Sequence, residues 1–272
     1  MKGRLFVVAT PIGNLKDITF RAIETLRSVS VVVAEDTRVS KKLLNHLGIE
    51  KKTISNFKEN EYKRVLEIID ILKKGEDVAL LSDAGTPAIS DPGTLLVNKA
   101  REEGFEIFPV VGPSSLTAVL SVCGFESTPF VFYGFFPKKE REKEEVIGKI
   151  NTFPSTVVFF ESPFRIKRTL QFLYENIEER DIFIAREMTK KFESYLFNPK
   201  VDDLVEKGEF VIVLSPPKLK NKKEFDEREV KSHFEELLKE GYSKKEAIKL
   251  ISKKFKISKN LLYNNLIVRK GG

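Results

Sequence analysis

A single cysteine, two histidines and no tryptophan in 272 residues close off several kinds of chemistry at the outset. Cys123 has no partner for an intramolecular disulfide, and His46 and His233 alone cannot build a zinc cluster, so redox and zinc chemistry drop out of the reading, and no metal site is expected. No stretch approaches the roughly 20 apolar residues of a membrane span. The opening MKGRLFVVATPIGN runs straight into a strand and a glycine turn, without the pattern of a cleaved signal peptide, so a cytoplasmic protein with no membrane partner is expected. Gln171 is the only glutamine and there are two methionines; with abundant Lys and Glu this resembles a hyperthermophile's composition, which bears on habitat and not on function.

Charge is present but unevenly placed. The whole chain carries +7, yet residues 217–272 hold 16 Lys and Arg against 8 Asp and Glu, and residues 1–216 hold 31 against 32. The basic excess thus belongs to the tail, as expected of a separate module that meets a polyanion such as nucleic acid.

The first half alternates. Apolar runs at 5–9, 31–34, 78–81 and 105–111 are separated by helical patterns over about 120 residues, which predicts parallel βαβ units with strands buried on both faces. Each run ends in a loop rich in small or charged residues: residues 10–14, 35–38, 82–92 and 112–115. In a parallel sheet such loops gather along one edge and line one cleft, where open α/β sheets bind ligands. The third loop, SDAGTPAISDP, is the centre of the pattern, with Asp91 placed to cap the next helix and Pro92 suited to its first position. Ser40 is expected to open the helix after the second loop, and 201–207 to form a short helix.

A second α/β unit is expected from about residue 125, followed by a lysine-rich linker and a helical tail. Ser243 to Glu246 form a capping box, Ser258 can cap a third helix, and the spacing around 255–257 resembles a helix-turn-helix. The expected organisation is α/β: an α/β domain at 1–124, a second at 125–216 with a cleft between the two, and a small helical module at 217–272.

The loops carry a resemblance. TPIGNLKDITFRA, AEDTR, LLSDAGTPAISDPG, GPSS, FFESP and REMTK occur in this order, and the chain resembles over essentially its whole length the family of small-subunit ribosomal RNA 2′-O-methyltransferases I, of the tetrapyrrole-methylase type. That resemblance implies S-adenosylmethionine as cofactor, the ribose 2′-hydroxyl of a cytidine in the decoding region of 16S rRNA as substrate, the 30S subunit as partner and a homodimer as the working form. The sequence departs from the pattern at Phe164, where the family more often has histidine, so position 164 is no obligatory acid or base. At Lys191-Phe192-Glu193 a more acidic pair is replaced.

By the same resemblance, Pro11, Ile12, Gly13, Asp83, Gly85, Thr86, Ile89, Ser114, Ser115, Phe164 and Met188 surround the cofactor. The alternative for the glycines and Pro87 is turn geometry, and for Phe164 and Met188 a place in the core. Glu35, Asp36, Arg38, Asp83 and Lys190 are the catalytic candidates, with Arg38 taking a phosphate; otherwise Asp36 caps a helix and Arg38 makes a surface pair. For removal of the ribose proton, Glu35, Asp83, Glu161, Glu187 and Lys190 stay open, and Glu161 can instead pair with Arg186. Lys244, Lys245, Lys253, Lys254, Lys256 and Lys259 are the expected phosphate contacts, and loss of 217–272 is expected to abolish action on ribosomes. Two rivals remain: methylation of a tetrapyrrole or other small molecule on this fold, and RNA binding without chemistry.

Overall fold

The computed structural model describes residues 2–57, 60–177, 179–218 and 227–255, together with Leu262 and Leu266. The chain divides into two compact units, residues 1–216 and 217–272.

The first sheet is built from β1 (Leu5–Val8), β2 (Val31–Ala34), β3 (Lys52–Ser55), β4 (Val78–Leu81) and β5 (Ile107–Val110), in the order β3-β2-β4-β1-β5 with every neighbouring pair parallel. Strand alternation divides its side chains between two cores. Val31, Val33, Ile54, Val78 and Leu80 face α3 (Glu61–Lys73) and α4 (Thr94–Glu102), while Val32, Ala34, Ala79 and Leu81 face α1 (Phe20–Ser28) and α2 (Thr37–His46). The helices following β1 and β2 therefore lie on one face, and those following β3 and β4 on the other. The topological switch falls beside β4, at the carboxyl ends of the strands.

The second sheet contains β6 (Phe130–Phe135), β7 (Thr156–Glu161), β8 (Ile182–Arg186), β9 (Ser194–Phe197) and β10 (Phe210–Leu214) in the order β6-β7-β10-β8-β9. Only β6 and β7 are parallel; β10 enters antiparallel between β7 and β8. Helices α6 (Glu140–Thr152) and α7 (Ile166–Asn176) cover one face. The other meets α5 (Ser115–Val122) and the first loop: Ile12, Val119 and Cys123 share a core with Val158, Phe183, Met188, Val211 and Val213. The two sheets are thus joined by a continuous apolar seam within one unit.

Local chemistry shifts three of the expected boundaries. The helix α2 begins at Thr37 and not at Ser40, because the Asp36 carboxylate caps it by accepting from the Arg38 amide at 2.8 Å. Asp91 does not cap α4. That helix starts at Thr94 after Gly93, whose amide donates 2.9 Å to Glu61 Oε1, and Asp91 is hydrogen-bonded with Ser82 instead. Residues 201–207 supply only a single 3-10 turn, Val201–Asp203.

The second unit is a helical hairpin, α8 (Glu227–Lys239) and α9 (Lys244–Phe255), around Val230, Phe234, Ala247, Ile248 and Ile251, with Leu262 packed on it. Ser243 and Glu246 form the predicted capping box, with Ser243 N donating 2.9 Å to Glu246 Oε2. Ser258 and the second half of the helix-turn-helix lie outside the described residues. No helix among the described residues is long and apolar enough to cross a membrane.

Candidate active site

Three loops are tied together at the carboxyl edge of the first sheet. Thr10 and Gly85 exchange backbone hydrogen bonds, Thr10 N to Gly85 O at 2.9 Å and Gly85 N to Thr10 O at 3.0 Å. Gly85 adopts φ +78°, open to glycine at little cost, and a Cβ there would come 3.3 Å from Ile12. Thr86 Oγ1 donates to Pro113 O at 3.3 Å, which joins the central loop to the one preceding α5. Pro11 and Ile12 are buried beneath this junction, Ser114 and Ser115 are half-buried at the start of α5, and Ile89 and Val111 stand 55% and 69% exposed.

The second loop is joined by a charged contact: the Asp36 amide donates to Asp83 Oδ1 at 3.0 Å. Arg38 forks onto both oxygens of Asp36, with Nη2 2.7 Å from Oδ2, and this hydrogen bond holds Asp36 down at about 2. The helix cap and surface pair are therefore what this structure shows for Asp36 and Arg38. The Arg38 side chain is 88% exposed and can exchange its partner for an incoming phosphate.

Glu35 behaves differently. It is half-buried and lines a cavity of about 350 Å³ with Glu61, Ser90, Asp91, Pro92, Gly93 and Thr94. Desolvation, and then repulsion from Asp91, Asp83 and Asp36, push its carboxyl up to about 7. Asp83 and Asp91 are also raised, each mainly by desolvation. Among all the candidates, Glu35 is the carboxyl held near neutrality.

The second sheet supplies the opposite wall. A Cβ on Gly13 would fall 2.4 Å from Lys190 Cγ and 2.9 Å from Thr189 Oγ1, so only glycine lets the first loop approach the turn after β8 this closely. In that turn Glu187 and Thr189 carry positive φ, at 52° and 67°. Left-handed backbone is uncommon for a β-branched residue, and strain of this kind collects at working sites. The Thr189 hydroxyl is buried and has no hydrogen-bond partner.

Lys190 sits 3.0 Å from both Glu187 Oε1 and Glu209 Oε2. Desolvation opposes its charge, but these two bonds outweigh it and raise its pKa, so Lys190 is a cation and not a neutral base. Desolvation opposes the charge of Glu187, but the Lys190 hydrogen bond and the Glu209 amide, which donates 3.0 Å to its Oε1, hold its pKa low. Glu161 pairs with Arg165 at 2.5 Å and accepts from Thr169 Oγ1 at 2.6 Å, while Arg186 Nε donates to Lys207 O; the two do not pair with each other. Glu161 is thereby a structural carboxylate. Met188 is buried in the seam between the sheets, and Phe164 is 85% exposed on the turn before α7, apart from that core.

This lining suits a methyl donor with an adenine ring and a sulfonium. Ile89 and Val111 offer exposed apolar surface, the loops offer backbone donors and acceptors, and Asp83 at the same edge complements a positive charge, while Glu35 and Asp91 line the cavity beside it. Among the described residues no group of three or more His, Cys, Asp or Glu is arranged to hold a metal ion. Sequence reasoning passed over Glu61 and Asn56, and neither lies in a motif that marks it.

In the tail, Lys244 and Lys245 are exposed at the start of α9. Lys254 Nζ lies 2.6 Å from His233 Nε2 and near the Phe255 ring. The side chain of Lys253, and Lys256 and Lys259 altogether, lie outside the described residues.

The profile of the Tetrapyrrole (Corrin/Porphyrin) Methylases matches residues 4–205. Proteins named ribosomal RNA small subunit methyltransferase I are similar over most of the chain: that of Thermotoga maritima is 44% identical over 220 residues, covering 78% of this chain and 98% of the relative. That of Bacillus subtilis is 36% identical over 276 residues, covering 96% and 93%. Among solved structures, the methyltransferase CobJ superposes with a TM-score of 0.60 at 17% identity, covering 79% of this chain and all of that one. Uroporphyrin-III-C-methyltransferase from Thermus thermophilus superposes at 0.55, also at 17% identity, covering 79% and 94%.

Proposed function

The chain belongs to the tetrapyrrole methylase family, with the proteins named ribosomal RNA small subunit methyltransferase I, and from that premise we propose that it methylates the ribose 2′-hydroxyl of a cytidine in the decoding region of 16S rRNA. S-adenosylmethionine is its cofactor and, when bound, supplies a methyl group already activated on a sulfonium. The observation that supports the reading is geometric: three loops are laced together at the carboxyl edge of the first sheet, and the half-buried Glu35 stands at that edge among Asp36, Asp83 and Asp91, which with desolvation push its carboxyl up to about 7.

A ribose hydroxyl is a poor acid, so the chain's task is to align its oxygen and remove its proton late in the transfer. Glu35 is the assigned base: at neutral pH a substantial share is ionised, and the carboxyl is basic enough to hold the proton it receives. Ile12, Gly13, Gly85, Thr86, Ile89, Ser114 and Ser115 would hold the donor, with Pro11, Asp83, Phe164 and Met188 bordering it. Arg38 turns from Asp36 to a nucleotide phosphate, and Lys190 fixes the turn carrying Thr189. The working form in this reading is a homodimer in the cytoplasm acting on the assembled 30S subunit. Exposed Tyr195 and Phe197 on the edge strand β9 support such a covered surface.

Incubation with methyl-labelled donor and 30S particles, followed by nucleoside analysis, is expected to yield 2′-O-methylcytidine. Label on a porphyrinoid instead would favour a small-molecule methylase, and no label anywhere would favour an RNA binder without chemistry.

The tail acts on affinity in this account. The match to the Thermotoga maritima relative spans 78% of this chain and 98% of that protein. A variant lacking residues 217–272 is expected to bind the donor as the full chain does and to lose most of its affinity for 30S at physiological salt. Its plot of log affinity against log salt should be shallower by about 3 to 5, one step for each phosphate that the tail lysines no longer neutralise. An unchanged slope would remove those lysines from the interface.

A further inference from the structure

Asn56 is 1% exposed, and neither its amide nitrogen nor its carbonyl oxygen has a hydrogen-bond partner. A buried primary amide with both ends unused is rare and calls for an explanation. Its position supplies one. Ala34 is paired with Ser55, and the Asn56 amide donates 2.8 Å to Ala34 O, so the next step of the β2–β3 ladder places Asn56 beside Glu35.

The two share a face as well. Val31 and Val33 on β2 and Ile54 on β3 belong to the core beneath α3 and α4, so alternation puts Glu35 and Asn56 on that same face, one residue beyond the apolar layer. The cavity lined by Glu35 lies there too, between Glu61 at the start of α3 and Gly93 and Thr94 at the start of α4. Adjacent strands run about 4.8 Å apart, a span that a glutamate side chain covers by rotation.

We propose that Asn56 is the positioning residue of Glu35: its amide nitrogen donates to the ionised carboxylate, and its carbonyl oxygen accepts from the protonated acid. An amide is suited to this because it offers a donor and an acceptor side by side, so one side chain serves the base both before and after proton transfer. Ser90 and Thr94 also line the cavity with hydroxyls, of which Thr94 Oγ1 is engaged by Ala88 O, whereas both ends of the Asn56 amide are unused. Asp36, Asp83, Asp91 and Glu61 face Glu35 with carboxylates, and Arg38 is engaged by Asp36. This inference rests on Glu35 being the base and adds the group that aims it.

Asn56→Leu is the informative substitution, with Asn56→Ala as a second variant should the first fail to fold. A merely structural asparagine would lower stability when replaced; here Asn56→Leu is expected to melt no lower than the parent, because it removes an unpaired buried amide. Turnover on 30S should fall at least ten-fold with the Michaelis constant for the donor unchanged. The titration of Glu35, followed by carboxyl carbon NMR of the donor-free protein with Glu35→Gln to assign the signal, should move upward by about one pH unit or more. The acidic limb of the pH–rate profile should move with it. An Asn56 variant that titrates as the parent does would overturn the positioning role while leaving Glu35 as the base. A parent in which Glu35 titrates in the ordinary carboxylate range would overturn the base assignment and this inference with it.

Discussion

Glu35→Gln is expected to lower turnover by a factor on the order of 10² to 10⁴ while leaving donor binding within about two-fold, because the amide keeps the shape of the carboxyl and loses only its ability to take a proton. The parent should show an acidic limb near pH 7, the value to which desolvation and the neighbouring Asp91, Asp83 and Asp36 raise the group. Below that pH Glu35 is protonated and cannot serve; above it the rate should level off. Stability must move in the opposite sense. A carboxyl raised in the folded state contributes stability that is complete below its unfolded value of about 4.5 and is lost as pH climbs through about 7. Glu35→Gln should therefore leave stability unchanged near pH 4.5 and increase it at pH 8 by about 1 to 2 kcal/mol, a figure kept small because the cluster is partly exposed and screened. Thermal melts at the two pH values check this directly. Full activity of the variant at neutral pH would remove Glu35 from the mechanism.

Arg180→Ala should be the most damaging change away from the site. This guanidinium is 7% exposed and donates to four backbone carbonyls: Ser155 at 2.8 Å, Ser215 at 2.6 Å, Ile150 at 2.5 Å, and Phe153. These carbonyls lie at the end of α6, before β7 and after β10, so one side chain ties together three segments of the second sheet's framework. Burial lowers its pKa, but from a starting value so high that the group stays charged. Removing it strands several buried acceptors at once, and a loss of about 3 to 5 kcal/mol is expected. Urea denaturation at neutral pH measures it. Arg180→Lys should recover only a small part, since an ammonium cannot reach four carbonyls from one place. A loss under about 1 kcal/mol would show that these carbonyls find other partners.

Four strands of the first sheet were legible because they are short apolar runs closed by glycine, proline and acidic loops, and a parallel sheet leaves few places for such loops to go; β3, Lys-Thr-Ile-Ser, is not such a run. In the second α/β unit the apolar runs at 156–160 and 210–214 are strands as well. Their order did not follow, because the insertion of β10 between β7 and β8 is a long-range pairing that local pattern does not encode. Asp91 misled for a similar reason. By local rules it is a helix cap, but Glu61, 32 residues before Gly93, takes over the Gly93 amide and leaves Asp91 to Ser82 and the cavity. Glu161 was open as a base or as a partner of Arg186, and it is Arg165 and Thr169, at the start of the next helix, that close on it. Asn56 was invisible in the sequence, since at the end of a short edge strand an asparagine carries no functional signal; only its burial without a partner sets it apart.

The account stands on four loops, remote in sequence, meeting at one donor site with Glu35 at its side. Crystals of the protein grown with S-adenosylmethionine or its demethylated product test that most directly. Density for the ligand is expected against the loops 10–14, 82–92 and 112–115, with the turn after β8 on its other side. Density elsewhere on the molecule, or none at saturating concentration, would contradict it.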